Sequence, residues 1–426
     1  MRVGIQTWGS EGDVRPFFSL AQALVARGHQ VRLAYTNVEG RDFGALAADC
    51  GIDAVSVAGD YFRENKDAID AAVSAAIRNE SPLGQVRKIF EHLMDPVVDR
   101  MVDASMDLAR DCDVVVGHFM THMAATAAMK HERPFVVVTM QPVIPSKHYA
   151  PIGLPELGRL LNPLLWKIMG AVIESVLAER VNVVRRRFEL PERRGLQKHA
   201  IDDCVLGLIA MSPSLFARPV DWDPRVQLCG FLGVPSGAEK WEPSPELRAF
   251  LDAGPPVFLS FGSMFNLDPR ETLDAVNLFV EALAIAGARG IIQAPAGIIA
   301  QARKGDHVRY VERAPHAQLF ARCSVVVHHG GAGTTQTALL AGKPSIVVPH
   351  ITDQFYFGKL LHARGVASAP LDRKRLAAKP LAARIQGVLA DEEMTARAKA
   401  LATSLASENG PLRAAELIEE AMRAKG

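Results

Sequence analysis

A chain of 426 residues provides for two or three domains at roughly 100–200 residues each. Its 49% apolar and 22% charged residues supply buried cores and exclude disorder, while 48 Lys and Arg against 47 Asp and Glu leave +1, excluding a nucleic-acid footprint or an acidic tail. No stretch approaches the ~20 apolar residues of a membrane span, and five scattered cysteines without a CxxC pair exclude a disulfide framework and a zinc site. The start, MRVGIQTWGSEGD, runs into a strand without an apolar signal region. The expectation is a soluble, cytoplasmic α/β protein.

In chain order, Arg2–Thr7 reads as a strand, Trp8–Asp13 as a glycine-bearing loop, and 14–27 as a helix with Phe17, Leu20, Leu24 and Val25 on one face. Gly28 ends that helix and Val31–Tyr35 is the next strand, giving a parallel βαβ unit. A long amphipathic stretch follows over 82–110, then strands over 113–116 and 134–139. A Pro-rich loop spans 141–155, and an apolar helix runs over 160–184. Residues 212–245 are dense in Pro and Gly and read as a linker. Beyond it a second alternating series begins. Strands are expected at 256–261, 290–293, 308–311, 324–328 and 345–348, and helices at 271–286, 334–341, 354–364 and 411–425. The organisation is therefore two doubly wound, Rossmann-like domains facing across a cleft: 1–213, a linker at 214–240, 241–405, and a C-terminal helix in 406–426 that packs back on the first domain.

In such sheets ligands bind at the carboxyl ends of the strands. One second-domain strand ends in His329-Gly330-Gly331-Ala332-Gly333-Thr334-Thr335. Glycines here admit backbone N–H groups to a ligand, the following helix points its positive end at the same spot, and histidine and threonine add donors. The set suits a diphosphate, and no Walker lysine follows. The plain alternative is a tight strand-to-helix turn. The neighbouring strand ends in His350-Ile351-Thr352-Asp353-Gln354; Asp353 and Gln354 suit vicinal hydroxyls, or a helix cap. In the first domain, Gly9-x-x-Gly12 is a poor match to a dinucleotide fingerprint, and Asp13 stands at a helix start, either as a general base or as a cap.

The runs GSEGDVRPFFSLAQALVARGHQV, VFLSFGSM, RAPHAQLF and VVHHGGAGTTQTALLAGKPSIVVPHITDQFYFG together resemble the GT-B glycosyltransferases of family 1. That group includes bacterial antibiotic glycosyltransferases acting on macrolides and glycopeptides, and sterol glucosyltransferases. The resemblance is strong over 256–365, clear over 1–40, and weak over 55–210, where such enzymes bind the acceptor. It implies Asp13 as the catalytic base. Ser263, His329, Gly330, Gly331, Gly333 and Thr334 are implied for the donor diphosphate, Ala314 and Gln293 for the nucleobase, and His350, Asp353 and Gln354 for the donor sugar. Arg313 and Thr337 replace residues that plant members use against the base and ribose, so UDP and TDP both stay open.

The implied reaction is an inverting transfer of a hexose, glucose foremost, from a UDP- or TDP-sugar to a hydroxyl of a lipophilic acceptor of sterol, triterpenoid, macrolide, polyketide or flavonoid type. No metal and no cofactor are expected; Asp111-Cys112-Asp113 precedes its strand and Asp221-Trp222-Asp223 lies in the linker. Acceptor candidates are His118, Phe119, Met140, Phe90, Met94 and Trp166. Two alternatives stand beside this reading: a membrane-associated glycosyltransferase acting on a lipid or cell-wall precursor, touching the bilayer through the apolar run at 160–169, and a nucleotide-sugar-binding protein without chemistry.

Overall fold

A computed structural model describes the chain except Glu80, Ser81, Val234, Ser236–Lys240, Ser263–Leu267 and Gly426; the side chains of 77–79, 82, 198–200 and 352 are also outside the described residues. The chain divides into two compact units, Met1–Ala238 with Glu408–Gly426, and Glu239–Ser407.

Among the described residues the first unit holds seven strands: β1 (Arg2–Gly9), β2 (Gln30–Asn37), β3 (Asp53–Ser56), β4 (Val114–His118), β5 (Phe135–Thr139), β6 (Leu206–Ile209) and β7 (Val226–Leu228). Their order in the sheet is β3-β2-β1-β4-β5-β6-β7, and every pairing is parallel. The second unit holds β8 (Val257–Ser260), β9 (Gly290–Gln293), β10 (Val308–Val311), β11 (Val325–His328) and β12 (Ser345–Val347). Their order is β10-β9-β8-β11-β12, again all parallel. Parallel sheets bury both faces under crossover helices, so central strands are continuously apolar. VVVGH in β4 and VVVH in β11 are buried throughout. The strand order reverses between β1 and β4 and between β8 and β11. Those are the points where an open parallel sheet leaves a crevice at its carboxyl edge.

Three expectations change. The amphipathic stretch over 82–110 is a helix (Pro82–Leu93), a 3-10 turn (Asp95–Val97) and a second helix (Val98–Asp111); Pro96 cannot donate within a continuous helix. The first loop shrinks to Ser10, because β1 runs to Gly9 and the helix begins at Glu11. The linker expected at 214–240 is largely folded into the first unit. Val226–Leu228 pairs with β6, and Leu215, Trp222 and Phe231 are buried, because enough apolar surface lies between the prolines to join the core.

The chain returns to the first unit at Glu408. Ser212 Oγ donates to Glu408 Oε1 at 2.7 Å. Helix Gly410–Lys425 packs on helix Glu11–Ala26 and on β6. Arg27 Nε and His29 Nε2 lie 2.7 and 2.9 Å from Glu419 Oε1. Gly410 sits against the Phe231 backbone: a Cβ there would meet the Phe231 carbonyl carbon at 2.6 Å and the Gly230 carbonyl carbon at 2.8 Å. Backbone atoms cannot yield as a side-chain tip can. Gly410→Ala is therefore expected to destabilise the protein by about 1–3 kcal/mol, read as a lowered Tm in thermal denaturation; an unchanged Tm refutes this packing.

Candidate active site

At the β1/β4 switch point, the fold turns from strand to helix over one residue. Gly9 adopts φ +139°, a region closed to most side chains. Ser10 is the helix N-cap. Asp13, in the first turn, accepts from Ser10 N–H and from Ser10 Oγ–H, both at 2.9 Å and both at Oδ2. The Thr7 hydroxyl donates to the Asp13 carbonyl at 3.0 Å. A Cβ on Gly9 would come within 2.7 Å of the Asp13 Cβ and Cγ, so the glycine is what leaves room for the carboxylate. Asp13 is half-buried. Desolvation raises its pKa above the ordinary carboxylate value, and the two Ser10 hydrogen bonds oppose that rise only in part. The cap and the carboxylate are thus one arrangement, with Oδ2 engaged by Ser10 and Oδ1 carrying no hydrogen bond that the structure records among the described residues.

At the β8/β11 switch point, His329 is 7% exposed and its ring lies between two glycines. A Cβ on Gly262 would reach the ring at 2.8 Å, and one on Gly331 would reach Cδ2 at 3.2 Å. His329 Nδ1 is buried without a partner, and burial, then the nearby His316, hold its pKa down to about 4. Gly331 is the N-cap of helix Ala332–Leu340 and brings no side-chain cap. The first amides of that helix, at Ala332, Gly333 and Thr334, have no intrahelical acceptor. Thr334 is half-buried beside them. Gly330 differs from expectation: its N–H donates to His328 Nδ1 at 3.1 Å, so it bends the loop at φ +93° and its amide is not open to a ligand. Ser263 lies outside the described residues.

Around this loop, His350 packs its ring on Phe261 at 4.6 Å, and its Nδ1–H donates to the Val348 carbonyl at 2.8 Å. Burial, then Arg373 and His329, push its pKa down to about 3. Gln354 is buried; its Oε1 accepts from His350 N–H at 2.7 Å and Ile351 N–H at 3.2 Å, capping helix Thr352–Ala363. That leaves only its NH₂ for a sugar. Asp353 is half-buried in the first turn of the same helix. A cavity of about 230 Å³ is lined by His350, Phe261, Glu271, Arg373 and Leu376 among others. On the far side of the sheet edge, Gln293 Oε1 lies 2.8 Å from His316 Nε2, and Ala314 sits half-buried just before helix His316–Ala321.

The acceptor candidates do not form one group. Met94 lines a cavity of about 200 Å³ with Val98, Val102, His122, Val183 and the Asp95–Arg180 ion pair. Phe90 is core, stacked on Trp8 at 6.4 Å. Trp166 is also core: its indole donates to the Tyr149 carbonyl at 2.9 Å, and its ring meets Tyr149 edge-on. Met140 and His118 are buried. His118 has neither ring nitrogen partnered, burial takes its pKa down to about 3, and Phe119 lies against it at 4.7 Å. The segment before helix Asn162–Arg187 and the start of that helix nevertheless leave apolar side chains outward: Leu160 is 93% exposed, and Leu157, Leu161, Leu164 and Ile168 are exposed with it. No described helix is long and apolar enough to cross a membrane.

The carboxylates of the two Asp-x-Asp triplets are taken by neighbours. Asp111 and Asp113 pair with Arg32 and Arg2, Asp223 with Arg225, and Asp221 accepts from Ser146 Oγ and Lys147 N–H. Gly9, Ser10, Gly262 and His328 also shape these loops, and the sequence alone gives none of them a role there; only the doubled histidine of HHGG carries a signal, and the resemblance points to the second of the pair.

Residues 289–421 match the family model of the erythromycin biosynthesis protein CIII-like C-terminal domain. The chain is 27% identical to a sterol 3-beta-glucosyltransferase of Arabidopsis thaliana over 96% of its own length, spanning 66% of that relative. It is 30% identical to O-mycaminosyltylonolide 6-deoxyallosyltransferase of Streptomyces fradiae, over 99% of this chain and 97% of that one. The solved glycosyltransferase VinC, in complex with dTDP, superposes with a TM-score of 0.68 at 21% identity, covering 99% of this chain and 100% of that one. Two parallel-sheet units of the GT-B type, and a likeness to the Streptomyces enzyme that runs the length of both chains, lead to one statement: the chain belongs to the family of GT-B glycosyltransferases that includes macrolide and sterol enzymes.

Proposed function

We propose that the protein is an inverting glycosyltransferase that moves a hexose from a nucleoside diphosphate sugar to a hydroxyl of a lipophilic acceptor. One observation carries the reading: a buried histidine whose Nδ1 has no partner, beside the N-terminus of helix Ala332–Leu340, which no side chain caps, at a switch point of a parallel sheet. Helix-end amides, glycine-admitted backbone and a ring donor are what a diphosphate requires. In the reaction they would stabilise charge growing on the leaving diphosphate. Asp13 Oδ1 would take the proton from the acceptor hydroxyl as its oxygen attacks the anomeric carbon, while Ser10 holds Oδ2. The dTDP held by a solved protein of the same fold favours a thymidine nucleotide, and the sterol and macrolide relatives favour a polycyclic or macrocyclic alcohol. No step needs a divalent metal.

A second reading places the acceptor in a membrane. The exposed Leu157, Leu160, Leu161, Leu164 and Ile168, with Arg159 and Lys167 exposed alongside, favour it. Flotation with phosphatidylglycerol vesicles, lost in a Leu160→Asp/Leu164→Asp variant, supports this reading; a protein that stays at the bottom of the gradient refutes it.

Incubation with dTDP- and UDP-hexoses and a panel of sterols, macrolide aglycones and flavonoids should give transfer with inversion, seen by mass and anomeric NMR. Asp13→Asn should lower turnover by about 10²–10⁴-fold while nucleotide binding persists. Turnover equal to the parent's removes Asp13 from the chemistry. The base acts ionised, so kcat/KM should climb with pH through a limb above the ordinary carboxylate value of 3.8. The same raised pKa has a stability sign. The fold prefers the neutral acid, so the contribution of Asp13 falls as pH rises through its folded value. At pH near 7, Asp13→Asn should therefore melt no lower than the parent. Turnover should also survive EDTA, and its abolition would overturn the metal-free step.

A further inference from the structure

The pair of histidines that ends β11 divides into two tasks. His329 belongs to the proposed diphosphate site. His328 is fully buried and touches no open surface, yet it makes the one side-chain hydrogen bond that the structure records to an amide of the glycine loop: Gly330 N–H to His328 Nδ1, 3.1 Å. A ring nitrogen that accepts an N–H bears no proton, so this imidazole is the neutral Nε2–H tautomer. Its Nε2 is buried without a partner.

That bond fixes a strained place. Gly330 stands at φ +93°, and a Cβ there would strike the Gln354 carbonyl and Val347 Cγ1, both at 2.9 Å. The loop is therefore pinned from below by His328 and from the side by helix Thr352–Ala363. Gly331, the next residue and the N-cap of helix Ala332–Leu340, then stands against the His329 ring. Among the described residues no cluster of three or more His, Cys, Asp or Glu is placed to hold a metal ion.

We propose that His328 is the positioning residue of the donor loop: its Nδ1 holds the Gly330 amide inward, and this aims the His329 ring and the amides of 332–334 at the diphosphate. The proposal rests on the glycosyltransferase reading and names what organises its donor site. It makes a distinction between residue types. Asparagine places an acceptor oxygen near the Nδ1 position and keeps the bond. Leucine fills the volume and leaves the Gly330 N–H buried and unpaired.

The test is calorimetric binding of dTDP, UDP, thymidine and uridine to the parent, His328→Leu and His328→Asn, with donor and acceptor KM alongside. His328→Leu should weaken binding of the preferred diphosphate by about tenfold or more, leave the nucleoside alone unaffected, and raise the donor KM with the acceptor KM unchanged. His328→Asn should recover most of that loss. Equal diphosphate binding by parent and His328→Leu overturns the proposal, as does equal loss in both variants. A parent that binds neither diphosphate overturns the glycosyltransferase reading itself. Should His328→Leu not fold, ¹⁵N-histidine NMR of the parent at pH near 7 decides: an unprotonated Nδ1 with Nε2–H is expected, and a protonated Nδ1 overturns the assignment.

Discussion

A polar side chain seated at the end of a buried strand needs space that the strand's own residues would otherwise fill, and in this protein glycine gives up that space. Gly9 leaves the volume that the Asp13 carboxylate occupies; Gly262 and Gly331 leave the slot that takes the His329 ring. Two of the three, Gly9 and Gly262, also have positive φ, so the conformation that turns the chain out of the sheet and the missing Cβ that admits the neighbour come from the same residue. Each unit uses this device at the point where its strand order reverses, the one place where a doubly wound sheet leaves its carboxyl edge uncovered.

The burial that positions these groups also sets their charge. Desolvation lifts Asp13 and depresses His329 and His350, so both kinds of group are driven toward their neutral forms. For the histidines this is useful. A neutral imidazole can be kept beside a helix N-terminus without repelling its positive end, and it still has one N–H to give. For Asp13 the same effect makes a stronger base at a cost in stability, partly offset by Ser10.

Much of this was legible in the sequence because the residues involved are unusual ones. Continuous valine runs announced β4 and β11, and HHGGAGTT and HITDQ stood at strand ends where packing alone gives no reason for them. Fold and loop positions followed. What was not legible depended on short or dual-use segments. β3 (DAVS) has no continuous apolar run, β6 (LGLI) is interrupted by Gly207, and β7 (VQL) was hidden among prolines. Trp166 and Phe90 are aromatic, but apolar character does not distinguish a pocket wall from core, and both are core. Gln354 shows a different limit. A sugar-binding amide and a helix cap have the same composition and spacing, and the side chain here spends its oxygen on the cap.

The return of the chain at Glu408 bears on how such proteins can be recombined. The first unit is made of two separate stretches, Met1–Ala238 and Glu408–Gly426. The second stretch covers a face of helix Glu11–Ala26 and packs its Gly410 on the backbone at Phe231. Chimeras that exchange the first unit between relatives therefore need two splice points, and a graft cut only near 238 would set one parent's closing helix on the other parent's foundation.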